Sequence, residues 1–186
     1  MQMKIMGLDL SITSTGVCLP DGSVIALRPK RKGDDRLGEI RDHIRLAVRT
    51  SGADLVVIES IQGRGLKGDA AIIIPMLHGV IRVMLRDEQV PFVLVNQSTL
   101  KRYATGNGNA DKTAMAMAAY KRARVDFADD RGGDKCDAWW LYAAGMEHTE
   151  QLLFILPLAQ RQALELVDWS PVPVAPRFRT GAQTGI

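Results

Sequence analysis

The sequence predicts an α/β fold, a mixed sheet covered by helices, and three observations carry that reading. Two short apolar runs, Lys4 to Leu10 and Asp54 to Glu59, read as buried strands. Pro20-Asp21-Gly22 separates two further short strand patterns and reads as a hairpin turn. Stretches with helical spacing then alternate with the remaining strands, the order expected of a sheet with helices packed on it.

Element by element, Lys4 to Leu10 is the first strand, and Thr15 to Leu19 with Ser23 to Leu27 form the hairpin. Arg28 to Arg36 is rich in Lys and Arg and reads as a solvated loop. Asp34 or Asp35 is placed to cap a helix running to about Arg49, with Leu37, Ile40, Ile44, Ala47 and Val48 on one face. Asp54 to Glu59 is a second buried strand, and Gln62 to Gly68 a Gly-rich basic loop. Asp69 to Glu88 reads as a helix disturbed near Pro75, and Pro91 to Val95 as a further parallel strand. Gln97 to Tyr103 is a short helix, Thr105 to Asn109 a turn, Ala110 to Arg124 a helix rich in Ala and Met, and Asp134 to His148 the last helix of the core. Beyond His148 the pattern weakens. Pro157 to Leu166 suits a small helix, and Ser170 to Ile186 a flexible tail.

A chain of 186 residues, 46% of them hydrophobic, suits one domain with a substantial core. Its formal net charge of +3 permits nucleic-acid binding without requiring it. Cys18 and Cys136 have no CxxC spacing and no paired His, which argues against zinc and a disulfide framework and suits a reducing cytoplasm. No apolar run reaches the length of a membrane span, so a soluble, cytoplasmic protein is expected.

The chemistry sits in the acids. Asp9 and Glu59 each end an apolar strand, where an unpaired charge is expensive. Parallel strands bring their C-terminal ends to one edge of the sheet, where active sites of open α/β sheets gather, so the two are expected side by side. Strands also end in polar residues simply because loops are wet. Asp134 and Asp137 share a face in the first turn of a helix, where its dipole favours negative charge. The alternative for Asp134, after Gly132-Gly133, is an N-cap; Asp137 instead faces the apolar stretch from Ala138 to Leu141. Carboxylates without His or Cys make a hard-oxygen site, suited to Mg²⁺ or Mn²⁺. Two such ions stabilise the attacking water and the leaving oxygen of a phosphodiester displacement. If the four acids converge on cations, the remaining surface is more basic than +3.

Taken in order, these segments resemble the RuvC Holliday-junction resolvases. Gly7-Leu8-Asp9-Leu10-Ser11 followed by Thr15-Gly16-Val17 resembles that family's first motif, and Val57-Ile58-Glu59 its second acidic strand. Leu100-Lys101 and Thr105 to Lys112 resemble its Lys-bearing segment, and Asp134-Lys135-Cys136-Asp137-Ala138 its terminal Asp pair. Leu77-His78-Gly79-Val80-Ile81 has the same flavour. The resemblance spans roughly residues 4 to 148. It implies a ribonuclease H-like domain over 1–150, with a mixed five-stranded sheet flanked by helices, and a C-terminal extension over 151–186. It implies a magnesium-dependent endonuclease cutting Holliday junctions or other branched DNA. Asp9, Glu59, Asp134 and Asp137 would be metal ligands, with two ions per site, and Lys101 and Lys112 would lie by the DNA backbone, Lys112 within the catalytic group. Read as residues alone, each lysine offers a point charge for a phosphate, or is simply exposed at a helix end. The family often carries an aromatic residue three positions after the second acid; here it is Gln62, a departure that suits relaxed specificity for branched DNA. Arg64 and Lys67, in the same loop, are expected to touch phosphates.

The helix from Ala70 to Leu85 is apolar on more than one face and needs cover on both sides. One side is the sheet. The other is a second subunit, as the resemblance implies, or the chain's own segment Leu152 to Leu166. Trp139 and Trp140 read as core. His148 lies about 16 Å along the helix from Asp137, too far for a general base. Among rivals, Asp9 to Gly16 also resembles the phosphate-binding hairpin of sugar kinases and actin-like ATPases, which need two such domains. Gly106 to Thr113 fails as a P-loop because Asp111 stands where Gly should precede Lys112-Thr113. A non-catalytic DNA-binding module, or a nuclease for forks or RNA–DNA hybrids on the same fold, is the remaining alternative.

Overall fold

The computed structural model describes residues 2–61 and 68–172. Five strands form one sheet in the order β3-β2-β1-β4-β5: β1 Ile5–Asp9, β2 Thr15–Cys18, β3 Val24–Leu27, β4 Leu55–Glu59 and β5 Phe92–Val95. β1, β4 and β5 are parallel, while β2 and β3 return antiparallel as a meander. The hairpin turn is where the sequence places it: Leu19 and Gly22 close it with backbone hydrogen bonds, and Asp21 accepts both the N–H and the hydroxyl of Ser23.

Side-chain alternation divides the core into two layers. Met6, Leu8, Val56 and Ile58 face α1 (Gly33–Ser51) and α2 (Ala70–Asp87), in a cluster with Ile40, Ile44, Leu77 and Ile81. Ile5, Leu55, Val57, Val93 and Val95 face the other way, toward α3 (Gln97–Thr105), α4 (Lys112–Ala123) and α5 (Asp134–His148). Continuing this alternation puts Asp9 and Glu59 on the α5 face. Trp139 and Trp140 are buried in that second layer, as core residues, with Trp140 edge-on to Tyr103.

Three expectations need correction or completion. Helix α1 starts at Gly33, not at an Asp cap; Lys32 occupies the cap position without a side-chain bond. Asp34 and Asp35 instead fall in the first turn, where they face the positive end of the dipole. The segment after His148 does not cover α2. Leu156, Ala163, Leu164 and Val172 join the α5 layer, Gln160 donates to the Tyr103 carbonyl, and Trp169 stacks on His148. The outward face of α2 stays open at Ile72, Met76 and Val83. The loop from Gln62 to Lys67 and the tail beyond Val172 lie outside the described residues, so Arg64, Lys67 and the flexible-tail expectation are not placed. Among the described residues no helix is long and apolar enough to cross a membrane.

Helix α5 touches the sheet almost backbone to backbone. A Cβ on Gly7 would come 2.0 Å from the Ala138 carbonyl oxygen, and one on Gly16 would come 1.9 Å from that of Asp134. Both neighbours are main chain and cannot swing away. Gly7→Ala is therefore expected to cost about 3 kcal/mol or more, the upper range for overpacking a core. At roughly 2–4 °C per kcal/mol for a chain this size, the melting temperature should fall by about 6 °C or more. An unchanged melting temperature would mean that α5 does not lie this close.

Candidate active site

The parallel register pairs Gly7 with Val57 and Leu8 with Ile58. One step further along both strands puts Asp9 beside Glu59 at the C-terminal edge of the sheet. Beyond Asp9 the chain turns tightly: the buried Thr15 hydroxyl donates to the Ser11 carbonyl at 2.6 Å and accepts the Ser11 N–H at 3.1 Å. Helix α5 arrives over this edge N-terminus first, seated on Gly7 and Gly16, and delivers Asp137. Carboxylate oxygens of Asp9, Glu59 and Asp137 all lie within 4.8 Å of one another. Asp134 stands beside this trio, near enough for its charge to act on Asp9 and Asp137 but outside the tight group.

Asp134 is not the cap of α5. Gly133 holds the cap position in the left-handed region, and the Asp130 carboxylate accepts the Cys136 N–H at 2.9 Å. Asp130 thus does the capping that the sequence allowed for Asp134, and it leaves Asp134 free to face the trio. The sequence reading missed Asp130; its signal is an acid shortly before the Gly132-Gly133 pair at a helix start.

Each acid of the trio resists ionisation. Burial raises Asp9 well above the usual carboxylate range, and the charges of Glu59, Asp137 and Asp134 raise it further. Burial, then Asp137, pushes Glu59 up to about 7. Burial pushes Asp137 up to about 6 against the pull of Lys101 and Lys112. Among the described residues none of the three makes an ion pair or accepts a hydrogen bond. Three crowded carboxylates without a donor form an all-oxygen cluster, and its chemistry fits a hard divalent metal ion.

Two lysines border the cluster. Lys101, on α3, reaches the field of Glu59 and Asp137. Lys112, the first residue of α4 behind its Asp111 cap, acts on Asp9 and Asp137 and donates to the Gly132 carbonyl. Neither is in an ion pair among the described residues. Both cysteines are buried and free.

The sheet order and the helix layers are those of a ribonuclease H-like fold. No family model matches it. The crossover junction endodeoxyribonuclease RuvC of Rhodopirellula baltica is 26% identical over 124 residues, which covers 61% of this chain and 70% of that protein. Among solved structures, T. thermophilus RuvC in complex with a Holliday junction substrate superposes with a TM-score of 0.65 at 20% identity, over 81% of this chain and 98% of that one. The yeast mitochondrial Holliday junction resolvase gives a TM-score of 0.52 at 11% identity, over 88% and 80%. The chain is similar in sequence to that RuvC and shares the fold of the T. thermophilus one.

Proposed function

We propose that this chain is a metal-dependent endonuclease that hydrolyses phosphodiester bonds in Holliday junctions or other branched DNA, during recombination or DNA processing. The convergence of Asp9, Glu59 and Asp137 within 4.8 Å carries this reading, and the kinship with RuvC supports it. Asp9, Glu59, Asp137 and the adjacent Asp134 would hold Mg²⁺, or Mn²⁺ in its place, two ions per site. When bound, such a pair supplies positive charge to the attacking water and to the leaving oxygen. The protein's own part is to hold four acids at one strand edge and to set Lys101 and Lys112 where a phosphate would approach. Arg64 and Lys67, outside the described residues, would add phosphate contacts; replacing both should weaken junction binding and lower its salt dependence. The two free thiols suit a reducing cytoplasm.

The deciding experiment incubates the protein with an end-labelled four-way junction, a fork and linear duplex, each in Mg²⁺, Mn²⁺ or chelator. Symmetric nicking of the junction, lost in chelator and in Asp9→Asn, is expected. Equal cutting of fork and junction would keep the chemistry and widen the substrate. Tight binding without cutting in either metal would favour a non-catalytic module.

We further infer a homodimer through α2. Its outward residues Ile72, Met76 and Val83 are exposed, and the C-terminal segment packs in the opposite layer. Two-fold pairing would give two sites for two symmetric cuts. A monomeric mass by light scattering at micromolar protein would rule this assembly out.

A further inference from the structure

We propose that the loop from Arg28 to Lys32 is a second phosphate-binding site, which grips a duplex arm on the far side of the acidic centre from Lys101. The inference rests on the nuclease reading. Sequence alone leaves this loop as a solvated connection, and its place in the sheet changes that.

Strand β3 runs antiparallel to β2 with Leu27 opposite Thr15, and β2 runs antiparallel to β1 with Gly16 opposite Asp9. The chain therefore leaves β3 at the sheet edge that carries Asp9, two strands across, or roughly 10 Å at the usual strand spacing. Lys101 stands on the helix that follows β5, at the opposite side of the sheet. The acids lie between. A duplex laid along this edge would meet positive charge on both sides of the cluster.

The loop is ordered by its backbone, not by its charges. Glu39 of α1 accepts the N–H groups of Lys30 and Arg31 at 3.1 and 2.9 Å, and the Arg36 guanidinium donates to the Arg31 carbonyl at 3.0 Å. Those two N–H bonds hold the Glu39 carboxyl below its usual range. The acid nearest the middle of the loop is thus committed to main chain. Four cations in five residues, Arg28, Lys30, Arg31 and Lys32, stay exposed, and none is in an ion pair among the described residues. Asp34 and Asp35 follow directly but lie in the first turn of α1 and pair with none of them. A merely solvated basic loop has no need of a fixed backbone. A loop that must offer its charges at a set distance from a scissile bond does. Contacts of this kind position DNA without reading its sequence.

The test compares two triple variants that remove equal charge. One is Lys30→Gln/Arg31→Gln/Lys32→Gln. The other is Lys121→Gln/Arg122→Gln/Arg124→Gln, around the distal end of α4, about 18 Å along that helix from Lys112. Affinity for a labelled four-way junction is measured from 50 to 200 mM salt, and single-turnover cutting is measured at saturating protein. The loop variant should lose about 10- to 100-fold in affinity at the higher salt. Its log–log salt slope should shrink by about two to three, near 0.9 per phosphate contact. Its saturated cutting rate should match the parent, and the α4 variant should match the parent in every respect. Unchanged affinity and slope in the loop variant, or equal losses in both variants, would overturn the proposal while leaving the nuclease intact. A parent that neither binds nor cuts branched DNA would overturn both readings.

Discussion

Asp9→Asn should abolish cleavage and, in the same protein freed of metal, raise stability. The two effects have one cause. Asp9, Glu59 and Asp137 are held with raised pKa values, mainly by burial and then by one another. A carboxyl whose folded pKa lies above its unfolded value favours folding in its protonated form. That contribution is complete below the unfolded pKa and is lost as pH rises through the folded one. For Glu59 the window runs from 4.5 to about 7, and for Asp137 from 3.8 to about 6. The metal-free protein should therefore lose stability between about pH 4 and pH 7. At about 1.4 kcal/mol per pKa unit, the loss through Glu59 alone is on the order of 3 kcal/mol. Replacing the central acid should recover a similar amount at pH 8 and almost nothing at pH 4, a gain of roughly 6–12 °C in chelator. Added Mg²⁺ or Mn²⁺ should raise the melting temperature of the parent at pH 8 far more than that of the variant. Cleavage should meanwhile fall by about 10³-fold or more, since several kcal/mol of transition-state stabilisation go with the ligand. A variant that melts lower than the parent in chelator at pH 8 would show that the acids are not a strained cluster, and the metal-site reading would lose its main support.

The strands and the first two acids were legible because a strand buried on both faces leaves little choice of residue. An apolar run ending in Asp9 or Glu59 then stands out, and parallel pairing puts both at one edge. The sequence could not say how closely α5 approaches them. That depends on Gly7 and Gly16, whose missing side chains matter only once a helix carbonyl is known to lie above them. The role of Asp134 was also open, because a cap and a ligand look alike at the start of a helix; the Asp130 carboxylate takes the Cys136 N–H and removes the capping alternative. The two possible covers for α2 were equally apolar in sequence. The packing of Leu156 and Leu164 into the α5 layer takes the C-terminal segment out of that choice. The seating of α5 and the cover of α2 are long-range contacts, which local pattern does not encode.

Lys112 should show the opposite stability effect from Asp9, and a pH-dependent effect on metal binding. Its charge lowers Asp9 and Asp137, so it relieves part of the crowding among the acids. Lys112→Gln keeps a donor for the Gly132 carbonyl and removes the charge, which separates the electrostatic role from the structural one. Without that charge the acids rise further, and the metal-free variant should melt lower than the parent at pH 8. Metal affinity is pulled in two directions. Near pH 6 the acids are partly protonated, protons compete harder, and half-saturation should move to higher metal concentration. Near pH 9 Glu59 and Asp137 are ionised, a repelling cation has been removed, and half-saturation should stay or move lower. With Lys112 beside the phosphate, as proposed, cleavage should fall about 10- to 100-fold even at saturating metal, and the acidic limb of the pH–rate profile should shift upward. In the double variant with Asp9→Asn the stability changes should not add, since the two charges act on each other. Additive changes, or a metal half-saturation that shifts equally at both pH values, would place Lys112 away from the acids and leave it a helix-start lysine with no part in the chemistry.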